Sequence, residues 1–173
     1  MDRKITWGLL GAWAINDAEE LATMAAWSRR AIPRLRARHP RVPEAVWSAV
    51  RVTGPESAVA IGLMGALVAA AAWRGHATGG RSPFYQAALV GFGAHAATHV
   101  AFSALARGYT PGVLTAPTVV APYSIWALAK LRGAGVRLDR RAVRAAMPLL
   151  GAATIASHVA AKVLVRRTLR RTR

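Results

Sequence analysis

Hydrophobic positions along the chain fall into five long runs, residues 5–27, 57–73, 84–106, 112–129 and 142–165, with polar and basic residues gathered between them. Each run is about 17 to 24 residues, the length at which a helix rising ~1.5 Å per residue covers ~30 Å of hydrocarbon. The pattern predicts an all-α integral membrane protein: one bundle of about five transmembrane helices, with the whole chain, 1–173, as a single membrane-embedded domain. Residues 28–53 read as a basic linker, in which VPEAVWSAVRV predicts a short interfacial helix around Trp47, ahead of Gly54 and Pro55. Residues 166–173 read as a basic tail. In the second run Ala58, Gly62, Ala66 and Ala70 recur at every fourth position, a small-residue face against which another helix can pack closely.

The first run breaks its own pattern. In ITWGLLGAWAINDAEELATMAAW, three carboxylates and an amide fall within the five residues NDAEE, although the chain has only seven acidic residues. MDRK followed by an apolar stretch imitates the start of a secretory signal peptide, but NDAEE stands where a small-residue cleavage site belongs. The run is therefore expected to stay in the protein as a helix.

Composition sharpens the membrane reading. The chain is 54% hydrophobic and carries a net charge of +17, with a mean hydropathy of +0.26. A soluble nucleic-acid binder spreads its cations over an amphipathic surface, whereas these lie between apolar runs. They read as topology anchors beside anionic lipid rather than as nucleic-acid contacts. Five alternating spans place fourteen Lys and Arg on the side of the C-terminus and ten on the other. The positive-inside rule then favours a cytoplasmic C-terminus by a small margin, in a plasma membrane of bacterial inner-membrane type. Trp7, Trp27, Trp73 and Trp126 fall near run ends, as interfacial aromatics do. The absence of cysteine excludes disulfides, thiolate zinc sites and iron–sulfur clusters.

Candidate chemistry lies in the polar residues inside the runs. Asn16, Glu19 and Glu20 share one helical face, with Thr23 continuing it and Asp17 turned roughly 100° from Asn16. His95 and His99 are an i, i+4 pair in the third run, and the fifth adds His158. Counted from each run's start, these groups fall roughly 16 to 24 Å deep, toward one side of the bilayer. Ionisable groups in hydrocarbon cost several kcal/mol and persist when they pair, line a cavity or work. Glu19, Glu20, His95, His99 and His158 are the candidate ligands of a divalent metal, zinc, iron or manganese, with Glu19 and Glu20 as catalytic carboxylates. Asn16 and Thr23 would stand behind the ligands. A protonated, hydrogen-bonded polar core without metal is the structural alternative.

NDAEE at 16–20 and the block HVAFSALARGYTPGVLT at 99–115 together resemble the HXXEE-domain family of bacterial membrane proteins. Glu19 and Glu20 match the two glutamates of its signature, and Asn16 stands where the signature has His. The resemblance implies a polytopic membrane protein without an assigned reaction.

Three functions fit these residues. The first is a metal-dependent membrane hydrolase or oxidoreductase acting on a lipid-soluble or amphiphilic substrate. The RGYTPG loop would offer Arg107, Tyr109 and Thr115 to its headgroup, and Pro117 and Pro122 would free backbone carbonyls in the fourth run. The second is a small cation or proton carrier, although five helices are few for alternating access unless the protein oligomerises. The third is a non-catalytic assembly partner in the bilayer.

Overall fold

The structure, a computed structural model, describes residues 2–171; Arg173 of the basic tail lies outside the described residues. The described residues form helices and no strand: α1 (Arg3–Arg38), α2 (Glu44–Val50), α3 (Gly54–Ala77), α4 (Pro83–Ala106), a π-helical turn (Ala116–Val120) running into α5 (Ala121–Gly133), and α6 (Arg140–Arg171). Local sequence explains the starts. Asp2 caps α1, Thr53 and Glu56 form a reciprocal capping box on α3, and Ser82 caps α4, with proline in the first turn of both α3 and α4. α4 stops where Arg107 turns left-handed, letting Arg107 and Gly108 bond back to Ala104 and Ser103.

α3, α4 and α6 are long and apolar enough to cross a membrane, consistent with a membrane protein. Their outward faces carry exposed Leu63, Phe102, Leu149 and Ile155. The expected count of five spans does not hold. α1 keeps Asp17, Glu19 and Glu20 at its middle, which takes it out of the apolar class. The fourth run is not one helix from residue 112: residues 111–114 form a turn, and α5 has 13 residues, about 20 Å, after its π-helical start. Pro117 and Pro122 cannot donate in an α-helical ladder, and the wider π register around them accommodates the missing bonds. With three candidate spans instead of five, the alternation behind the cytoplasmic C-terminus no longer supports that assignment.

α1 packs along α3, α3 along α6, and α4 closes against α3 and α6. The core gathers Leu9, Ala71, Tyr85, Leu89, Phe92 and Val120. Tyr85 and Tyr123 both donate to the Ile5 carbonyl, pinning α4 and α5 to the start of α1. Gly75 is required there, because a Cβ would run into the Tyr85 ring. The small-residue face of α3 turns out differently from expectation: Ala58, Gly62, Ala66 and Ala70 are exposed, and α3 packs through Ser57, Ala60, Gly65 and Ala71 instead. The short helix around Trp47 is α2, and Lys162 of α6 donates to its C-terminal carbonyls at Ser48, Ala49 and Arg51 over 2.7–2.9 Å.

Candidate metal centre

His95 and His99 are one turn apart on α4, and their rings meet edge to face with centroids 4.2 Å apart. Each ring has one nitrogen already committed. His99 Nδ1 lies 2.9 Å from the Pro111 carbonyl, which only accepts, so Nδ1 carries the hydrogen. The Thr98 hydroxyl donates to the His95 carbonyl at 2.7 Å, which leaves its oxygen, 3.2 Å from His95 Nδ1, free to accept from that nitrogen. In the tautomers with both Nδ1 atoms protonated, the two Nε2 atoms present lone pairs, and they lie 2.8 Å apart.

Glu20 of α1 completes the group. Its Oε1 lies 3.2 Å from His99 Nε2 and 3.9 Å from His95 Nε2. The three ligand atoms fall within 4.8 Å of one another. Ligand atoms held ~2.0–2.1 Å from a tetrahedral zinc are roughly 3.3 Å apart, so small side-chain shifts bring this triangle onto a metal. The Glu20 and His99 side chains are nearly buried, whereas that of His95 is 47% exposed.

Behind the triad stands a hydrogen-bonded layer. Asn16, fully buried, donates from Nδ2 to Glu20 Oε1 at 3.2 Å. The Thr115 hydroxyl sits 3.0 Å from Asn16 Oδ1 and 2.7 Å from Glu19 Oε2, one proton between two acceptors. Glu19 also accepts from the amides of Leu114 and Thr115 and from the Tyr109 hydroxyl at 2.8 Å. Burial, and then the Glu19 carboxylate, push the Tyr109 hydroxyl above its ordinary pKa, keeping it a donor. Glu19 therefore clasps the loop whose Pro111 carbonyl orients His99. In that loop Gly112 has φ +81° and lies under the His99 ring, where a Cβ would collide.

The structure thus brings together three of the five expected ligands. Glu19 is turned away from the triad and engaged by the loop. His158 lies across a cavity from Glu20 and His95, outside the ligand group. Asn16 bonds Glu20 from behind, and Thr23 bonds the Glu19 carbonyl with Tyr109 beside it. The polar groups of Tyr109 and Thr115 serve Glu19, and exposed Arg107 is the left-handed residue ending α4. Sequence reasoning missed Thr98, the Pro111 carbonyl and Gly112, and left Asp17 without a role. Trp13, Asp17, Glu20 and Met24 follow i, i+4, i+7, i+11 spacing and line the cavity together, a signal the sequence did carry.

That cavity, about 390 Å³, lies between α1, α3, α4 and α6, and Glu20 and His95 of the triad form part of its wall. Its lining is mostly apolar and includes Met24, Met64, Met147 and Phe92, with Asp17 and His158 as further polar groups. Methionines give such a wall a pliable surface.

Residues 7–127 match a family described as protein of unknown function with HXXEE motif, and the chain belongs to that family. No curated protein and no solved structure matches it.

Proposed function

For this member of the HXXEE family we propose a metal-dependent membrane enzyme, in which Glu20, His95 and His99 hold a divalent ion beside a cavity that takes the apolar part of a lipid-soluble or amphiphilic substrate. The observation that carries this reading is the 2.8 Å approach of two Nε2 atoms, beside Glu20, on rings whose Nδ1 atoms each have an oxygen partner and can both carry the hydrogen. Two lone pairs repel at that distance, and a cation between them and Glu20 relieves it. The outward hydrogen bonds are those that ligating histidines make to fix tautomer and ring angle. A shared proton also satisfies the three atoms, and metal analysis separates the two cases.

Three protein ligands leave coordination positions open, the hallmark of a catalytic rather than structural site. A zinc ion here supplies an activated water for hydrolysis, whereas iron held by two histidines and a carboxylate suits oxidation. Asp17 and His158, in the same cavity and outside the ligand group, are the groups available to move protons at the substrate. Asn16 keeps the Glu20 carboxylate oriented, and the Glu19-clasped loop keeps His99 oriented.

Cobalt-loaded protein titrated with azide tests the open position. A change in the visible absorption bands is expected on azide binding; an unaltered spectrum in protein that retains cobalt identifies a closed structural site and rejects the enzyme reading.

A further inference from the structure

A second recess, about 470 Å³, lies between the basic half of α1 and the end of α4, with Arg30, Arg34, Arg38 and Arg107 on its walls beside Trp27 and Tyr109. The three α1 arginines recur at every fourth residue, a single stripe roughly 12 Å long. Like charges so spaced oppose one another along a helix. Among the described residues none of the four guanidinium groups has a carboxylate partner; the one Arg–carboxylate pair on α1 is Arg36 with Glu44, at 3.0 Å. Ala22, Ala26, Ala31, Ala106 and Gly108 leave room in the wall beside the arginines, and Leu35 lies between Arg34 and Arg38.

Arg107 adds an independent observation. It is the one non-glycine described residue with positive φ, +52°, at a position where glycine is the usual choice and although Gly108 follows directly. An arginine held in a disfavoured backbone conformation, its side chain lining the same recess as three other unpaired arginines, is explained by a ligand that needs a fourth guanidinium. Trp27 fixes this rim by donating from Nε1 to the Tyr109 carbonyl at 2.7 Å.

We infer that this recess binds a phosphate-bearing group, the multiply charged anion whose oxygens match guanidinium forks. Its place beside Ala106, where candidate span α4 ends, is the level of a lipid headgroup. The Tyr109 hydroxyl leads from the recess through Glu19, Thr115 and Asn16 to Glu20. That the phosphate is the polar end of the substrate rests on the metal-enzyme reading; the phosphate site itself does not.

The test uses full-length, delipidated protein in detergent, treated with EDTA so that phosphate cannot report on a metal. Calorimetry compares dioctanoyl phosphatidic acid, dioctanoylglycerol and inorganic phosphate. Phosphatidic acid is expected to bind and dioctanoylglycerol not to. Arg30→Gln with Arg34→Gln, and separately Arg107→Gly, are expected to weaken binding tenfold or more, while Arg29→Gln and Arg36→Gln stay within twofold. Arg107→Gly is also expected to melt no lower than wild type, because glycine suits the left-handed position, so lost binding there is not lost folding. Binding of inorganic phosphate as well assigns the site to the phosphate group alone; binding of the lipid only assigns it to a lipid headgroup. No binding of either, or equal loss in the Arg29 and Arg36 variants, overturns the inference. Metal content of the arginine variants is expected to match wild type, which keeps this result separate from the fate of the metal reading.

Discussion

His95 and His99 turn the same ring nitrogen toward one another, Nε2 to Nε2 at 2.8 Å, while Thr98 Oγ1 and the Pro111 carbonyl partner the other nitrogen of each. The pair is one turn of one helix, so α4 alone presents two of the three groups that could hold a metal, and α1 has only to supply Glu20.

Gly112 sets how closely the loop approaches His99. Gly112→Ala puts a Cβ against the ring and a side chain at φ +81°. Metal affinity is expected to fall about 10- to 100-fold, the usual effect of losing a ligand's supporting contact. Competition with a calibrated zinc chelator measures it, and affinity equal to wild type would show that the loop does not orient His99.

Glu19 and Glu20 are adjacent carboxylates with different expected phenotypes. Glu20→Gln removes a ligand and is expected to abolish metal retention. Glu19→Gln keeps all three ligands but weakens the clasp on Leu114, Thr115 and Tyr109, hydrogen bonds to a charged group worth about 1.5–3 kcal/mol. It is expected to lower thermal stability while metal still binds near stoichiometrically. Equal metal loss in both variants would return Glu19 to the ligand set.

Lys162 is expected to hold α2 in place. Lys162→Met removes donors to three carbonyls while keeping most of the apolar stem. Faster hydrogen exchange confined to residues 44–51 is the expected result, with metal content unaffected. Unchanged exchange in α2 would show that Trp47 burial alone docks it.

The helical class and the site's polar residues were legible because both follow from spacing. An i, i+4 histidine pair shares a face in any helix, and NDAEE is conspicuous in an apolar run. The number of spans was not legible, because hydropathy averages over a run. It passes over three carboxylates in the middle of α1, and it cannot see that Pro117 and Pro122 impose a π register and leave α5 short. The exchange of roles between Glu19 and the loop was hidden for another reason. Adjacent residues on a helix point about 100° apart, so one glutamate of the pair meets α4 and its neighbour meets the turn at 111–114. Only the packed structure says which one faces the histidines.

Elemental analysis of detergent-purified protein, reconstituted in turn with zinc, iron and manganese and then freed of loose metal, tests the central claim most directly. About one equivalent of one of these metals is expected in wild type and in His158→Ala, and none in Glu20→Ala, His95→Ala or His99→Ala. Wild-type protein that keeps no metal, or a Glu20→Ala variant that keeps as much as wild type, would contradict the account.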